Sequence, residues 1–229
     1  MRYTYIMKIM DFIKSNNAYF EDYITRNTYH SNAIEGNTLS YAETYAIIFN
    51  DNSFKVKAEP REIYEAINHK YALNYILEHI EKSLSEQFIK DIATLINKNV
   101  TDFSDYRTVS VLISGAEHLP LPPETIRNAM MYFVYNYNNT DYTNIFEKAA
   151  HWHIQFEKIH PFEDGNGRTG RLLINYDLLR NNIAPAVIEK DDRAEYFEFL
   201  AKSDAQGFGK FLEKLSCKET ERIRYFTLR

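Results

Sequence analysis

Residues His160 to Arg171 read His-Pro-Phe-Glu-Asp-Gly-Asn-Gly-Arg-Thr-Gly-Arg. The stretch holds an imidazole, two adjacent carboxylates, a Gly-Asn-Gly turn and two arginines three positions apart. The apolar run Leu172-Leu173-Ile174 follows and can continue as a helix. A glycine-flanked turn entering a helix leaves backbone N–H groups without intrahelical partners. With the positive end of the helix dipole they form an anion site, and phosphate is the usual guest. Arginine adds a planar donor fork that matches phosphate oxygens. Asp164 offers a hard oxygen to Mg2+, which reaches proteins through one or two carboxylates plus substrate phosphates; it can equally serve as a helix N-cap. His160 can take a proton near neutral pH, or be a packed loop histidine. The parts suit nucleotide transfer.

The stretch resembles the signature of the Fic family, His-x-Phe-x-(Asp/Glu)-Gly-Asn-Gly-Arg-x-x-Arg, at every fixed position. The resemblance implies transfer of AMP from Mg·ATP to a protein hydroxyl. In that role His160 is the general base and Asp164 the Mg2+ ligand. Gly165, Asn166 and Gly167 cradle the phosphates, Arg168 takes the β-phosphate and Arg171 the γ-phosphate. Glu163 falls at a free position. The family's nucleoside contacts correspond to Tyr196, in a Tyr196-Phe197 pair, and to Asp204, where the family usually has Asn. An ionised aspartate accepts but does not donate, which leaves base preference open.

A second constellation is Ser31-Asn32-Ala33-Ile34-Glu35-Gly36. Ser31 and Glu35 are four apart, so a helix sets them on one face. Gly36 suits a left-handed helix end. The segment resembles the family's inhibitory motif, which implies that Glu35 holds Arg171 and denies it to the γ-phosphate. The rivals are removal of AMP from modified proteins, with Glu35 aligning a water, and a non-catalytic nucleotide-sensing module. Transfer of another phosphate-containing group also fits the motif. The resemblance leaves room for self-modification and for a homodimer.

These groups need positioning elements. Only 7 Gly and 6 Pro in 229 residues fit a helix-rich chain. Helical periodicity runs through Tyr64, Ile67, Tyr71, Leu73, Tyr75 and Ile76. Ser40 with Glu43, and Ser83 with Glu86, have capping-box spacing. Pro122-Pro123-Glu124 suits a first helical turn, and Asp191-Asp192 can cap a helix through Tyr196. Val109-Ser110-Val111-Leu112-Ile113 is β-branched and partly alternating. With Ser114-Gly115 and a return through His118 it reads as a short hairpin. It resembles the family's flap, which holds a target segment as an added strand and would dock it through Val109, Val111, Ile113 and His118. The expected fold is an all-α, Fic-type helical bundle with a small β-hairpin flap. Residues 1–61 form an N-terminal helical segment carrying the inhibitory helix, 62–215 the catalytic core, and 216–229 a C-terminal helical end.

Composition narrows the partners. Net charge is −5, which argues against nucleic acid as the main partner. One cysteine, Cys217, excludes an intramolecular disulfide, and with no leader-like or spanning apolar run the expectation is a cytoplasmic protein away from membranes. His151 and His153 invite a zinc reading with His160. Two residues apart on a helix they point to different sides, so both are expected to pack around Trp152.

Overall fold

The computed structural model describes residues 8–49, 56–102, 105–112 and 120–228. Among them are ten α-helices: α1 (Ile9–Ser15), α2 (Asn17–Ile34), α3 (Tyr41–Phe49), α4 (Pro60–Glu78), α5 (Glu86–Asn97), α6 (Pro123–Asn139), α7 (Ile145–Ile159), α8 (Asn166–Arg180), α9 (Arg193–Lys202) and α10 (Ala205–Thr227). No strand occurs among the described residues, and no helix there is long and apolar enough to cross a membrane.

The helix that follows the Gly-Asn-Gly turn is the axis of the molecule. Every residue of α8 from Arg168 to Leu179 is buried. A helix buried on all sides must be wrapped by others. The wrapping helices are α7, α4, α5 and α2, with α10 laid along α7. One apolar cluster joins Leu172, Tyr176 and Leu179 of α8 to Ile92 and Ile96 of α5 and to Phe133, Trp152 and Phe156. The other joins Ile174 and Leu178 to Ile154, Tyr196, Phe208 and Leu212. The N-terminal end of α8 therefore emerges from the most constrained part of the fold.

The start signals hold in part. Ser40 and Glu43 form the reciprocal capping box: the Ser40 N–H donates to Glu43 at 2.8 Å and the Glu43 N–H to Ser40 at 3.2 Å. The Ser83–Glu86 pair does not cap α5. Ser85 does, accepting from the Phe88 N–H at 3.1 Å, and Glu86 instead accepts from Tyr106 at 2.7 Å. Pro123 begins α6, and Asp191-Asp192 form a 3-10 turn that leads into α9.

The hairpin expectation needs correction. Val109 and Val111 lie on irregular backbone; Ile113 and His118 are outside the described residues. Arg107 gives a physical reason. Its guanidinium donates to the carbonyls of Val109 and Leu121, which sit on the two arms, and to that of His160 at 2.8 Å. Its own N–H donates to the Pro161 carbonyl at 2.9 Å. A buried arginine thus takes carbonyls that a ladder at the base of the arms would have used, and ties both arms to the His160–Pro161 loop.

The N-terminal helix α2 is anchored at its base. Arg26 makes a two-pronged pair with Glu219 of α10 at 2.9 and 2.6 Å, and Tyr19 donates to the same carboxylate at 2.6 Å. Its other end reaches the mouth of α8.

Candidate active site

The site is a cleft at the N-terminus of α8, lined by Glu35, Glu157, His160, Glu163, Asp164, Gly167 and their neighbours. Gly165 makes the turn, with φ +75. A Cβ there would meet Ile96 Cγ2 at 2.7 Å, so glycine is required by both backbone and space. Asn166 turns its side chain inward. Its side chain accepts from the Phe162 N–H at 2.9 Å and donates to the Phe162 carbonyl at 2.8 Å. It braces the loop from inside, and the cradle is left to backbone N–H groups of the first turn.

Asp164 and Arg168 stand at the mouth. Asp164 Oδ1 accepts from Arg168 at 2.9 Å and from the Gly165 N–H at 2.6 Å. Its Oδ2 pairs with the exposed Arg61 of α4. Burial alone would raise the Asp164 pKa, but Arg168, the Gly165 N–H and Arg61 together hold it below the usual carboxylate range. Arg168 is 2% exposed and also faces Glu65 at 3.2 Å. An ionised carboxylate beside a helix N-terminus fits the donor set of Mg2+, because the oxygen facing Arg61 is held by an exposed surface side chain.

The Ser31–Gly36 segment meets the site at Arg171. Helix α2 ends in a Schellman turn: Gly36 has φ +98, its N–H donates to Ala33 and the Asn37 N–H donates to Asn32, both at 3.1 Å. This turn leaves Ser31 and Glu35 facing Arg171. Arg171 donates to Ser31 Oγ at 3.0 Å, to the Ser31 carbonyl at 2.9 Å and to Glu35 Oε1 at 2.7 Å. A Cβ on Gly167 would come 2.3 Å from the same Glu35 oxygen. The Glu35 carboxylate therefore lies against the first turn of α8, where the helix dipole favours an anion.

His160 occupies the C-terminal cap of α7 in a left-handed conformation, φ 49 and ψ 63. Its Nδ1 is closed to solvent and 3.5 Å from Glu157 Oε2. Tyr196 lines the cleft but is 1% exposed. Its hydroxyl contacts His153 Nε2 at 2.7 Å and accepts from Arg171 at 3.4 Å. It supports the arginine. His153 accordingly faces α9 rather than Trp152, while His151 packs edge-on against Trp152 as expected, with ring centres 4.8 Å apart. Asp204 caps α10, accepting from the Gly207 N–H at 2.8 Å, and is not among the residues lining the cleft. Arg193 was not anticipated. It donates to the Ile34 carbonyl at the end of α2 at 2.9 Å and stacks on Phe197.

The family model for Fic/DOC proteins matches residues 83–178, a span that includes the whole of the cleft loop. The chain belongs to the Fic/DOC family. It is 33% identical over 198 residues to the protein adenylyltransferase Fic of Nematostella vectensis, covering 82% of this chain and 44% of that protein. It is also 33% identical over 180 residues to protein adenylyltransferase fic-1 of Caenorhabditis elegans, covering 75% and 35%. The chain thus spans less than half the length of these curated relatives. A Fic domain containing signaling protein of Bacteroides thetaiotaomicron superposes with a TM-score of 0.74 at 28% identity, covering 93% of this chain and 88% of that one. A Fic family protein of Desulfovibrio desulfuricans gives 0.76 at 26%, covering 94% and 68%. These are Fic structures of similar helical architecture, so the all-helical, Fic-type fold stands.

Proposed function

We propose that this Fic domain transfers AMP from Mg·ATP to a Ser, Thr or Tyr hydroxyl of a protein, and that Glu35 restrains it. The observation that carries the reading is the Glu35 carboxylate lying against Gly167 while it pairs with Arg171. A site whose own side chain fills its anion position is built for an anion.

In the productive arrangement, phosphates replace the Glu35 carboxylate at the first turn of α8. Arg168 and Arg171 take the β- and γ-phosphates and stabilise charge on the leaving pyrophosphate. Asp164 would hold Mg2+, which supplies charge neutralisation across the phosphate oxygens. His160 removes the hydroxyl proton as the hydroxyl oxygen bonds to the α-phosphorus; the bond from that phosphorus to pyrophosphate breaks, and the proton stays on the imidazole. The rest is positioning. The target segment docks along the arms clamped by Arg107, where Val109 and Leu112 are exposed and Leu112 lines the cleft. Tyr196 belongs to this machinery as the support of Arg171. Asp204, which caps α10, is proposed only as the edge of the nucleoside pocket.

The test uses labelled ATP. Glu35→Gly should raise label transfer to protein at least several-fold, Glu35→Gly with Arg171→Ala should cancel the gain, and Glu35→Gly with His160→Ala should abolish it. An unchanged rate in Glu35→Gly would remove the restraint. Undiminished transfer without His160 would remove the base. Because Glu35 lines the same cleft as His160, removal of AMP from a modified protein is the second reading. In that case the parent, and not Glu35→Gly, releases label from pre-modified protein.

A further inference from the structure

Glu157 sits in the last turn of α7, three residues before His160, and it is a costly residue to keep there. It is only 8% exposed. A carboxylate at a helix C-terminus meets the negative end of the dipole. Among the described residues no hydrogen bond reaches its Oε1. An uncharged side chain of similar size would pack the position at lower cost. Its other oxygen explains its presence. Glu157 Oε2 lies 3.5 Å from Nδ1 of His160, an atom shut off from solvent with no hydrogen bond among the described residues. The space for this arrangement is made by α8. A Cβ on Gly170 would press on the His153 ring at 2.7 Å and on Glu157 Oε1 at 3.2 Å.

We propose that Glu157 is the positioning residue for His160: it accepts the Nδ1–H, fixes that tautomer, and so presents Nε2 to the cleft as the proton acceptor. The inference rests on the reading of His160 as the base. The logic is that of a nucleophile's histidine oriented by a third group. When Nε2 takes the hydroxyl proton, the imidazolium is held beside a carboxylate that stays ionised; no proton passes to Glu157. The surroundings support that charge. Burial would raise the Glu157 pKa, yet His160, His153 and Arg171 together draw it below the usual range. The other groups nearby are the Tyr196 hydroxyl on α9 and Glu35 at the end of α2, with Glu163, Asp164, Arg168 and Arg193 around the cleft. A spacing of 3.5 Å is long for a formed bond, and such contacts tighten when the substrate complex assembles.

Long-range 1H–15N spectra of the imidazoles in the full chain, near pH 8 and without nucleotide, test this directly. The parent should show His160 as the Nδ1–H tautomer. Glu157→Gln keeps an accepting oxygen and should preserve it. Glu157→Met should shift His160 toward the other tautomer while the backbone amide spectrum stays native. In the Glu35→Gly background, kcat for label transfer should fall about tenfold in Glu157→Gln and about a hundredfold in Glu157→Met, with the KM for ATP unchanged. An unaltered His160 tautomer in a folded Glu157→Met protein overturns the proposal, and so does an unaltered kcat in both variants. If the tautomer responds as stated but no variant, the Glu35→Gly parent included, transfers AMP, the positioning role holds and the AMP-transfer reading fails.

Discussion

Arg171 is wholly committed before any nucleotide arrives. Its three nitrogens are held by Ser31 Oγ, the Ser31 carbonyl, Glu35 and Tyr196. In the proposed reaction a γ-phosphate therefore has to displace a carboxylate from a short bond at the edge of the cleft. Asp164 is likewise occupied on the other side of the cleft, where Arg61 pairs with the oxygen that the proposed cation would use. Arg61 is more than half exposed, so its hold is a surface ion pair worth at most about 1 kcal/mol. Replacing it should still be measurable. Arg61→Gln should tighten Mn2+ binding to the ATP-loaded chain by about two- to fivefold, read by electron paramagnetic resonance. Unchanged binding would show that Arg61 does not compete; weaker binding would show that it helps to hold the phosphates. The sequence exposes one side of this competition and hides the other. Ser31, Glu35, His160, Asp164, Arg168 and Arg171 are legible because contiguous motifs fix their spacing. Arg61, Glu65, Arg107 and Glu157 are silent, since their distances to the site are set by how α4, α7 and the arms pack. The inward turn of Asn166 is equally invisible, because a Gly-Asn-Gly string says nothing about which way the amide points.

At the scale of elements, α2 is held at both ends, by different kinds of contact. Arg26, Tyr19 and Glu219 hold its base to α10, whereas its tip is held by the Schellman turn, by Arg193 on the Ile34 carbonyl and by the Arg171 contacts. Under the proposed restraint, releasing Glu35 calls for loosening of the last turn. Gly36 isolates that step: a Cβ there meets no atom within 4 Å, so alanine would add only the strain of φ +98. Gly36→Ala should cost about 1 kcal/mol, seen as a fall in Tm of about 2–4 °C. It should also raise label transfer above the parent while remaining below Glu35→Gly. A variant that melts earlier with no gain in transfer would mean that the end of α2 is not where control resides. The helical pattern and the Ser40 box were readable at this scale because they depend on local spacing. The start of α5 was misread by two residues because Ser83 and Ser85 both offer a hydroxyl, and tertiary contacts choose between them; Glu86 is drawn away by Tyr106. The hairpin failed for a similar reason, since β-branched alternation does not reveal that a buried arginine will take the carbonyls.

For the molecule as a whole, two buried histidines flank α8 from inside, and their lowered pKa values predict a fold sensitive to acid. His69 on α4 is within hydrogen-bond reach of Thr28 at 3.2 Å, and His153 on α7 of Tyr196 at 2.7 Å. Burial pushes their pKa values from 6.5 down to about 3 and about 4, with nearby Arg171 acting in the same direction. Both folded values lie below the unfolded one. Their contribution is therefore complete above about pH 6.5 and is lost as the pH falls toward 4 and 3, because the unfolded chain takes up protons that the folded chain refuses. By pH 5 that loss is about 2 kcal/mol for each histidine. Asp177 works the other way. Burial raises its pKa from 3.8 to about 6, against the pull of Lys148 and Tyr137, so its contribution is present below about 3.8 and disappears as the pH rises through 6. Between pH 7.5 and 5 it returns about 1.5 kcal/mol. The histidines win, and the chain should be roughly 3 kcal/mol less stable at pH 5 than at pH 7.5, a large share of a typical domain's margin. Urea denaturation at the two pH values measures this. His69→Gln should remove about half of the histidine loss, about 2 kcal/mol, and Asp177→Asn should deepen the loss by removing the opposing contribution. Stability that is flat or higher at pH 5 in the parent, or a His69→Gln variant with the parent's full pH dependence, would show that these buried imidazoles do not control the acid response.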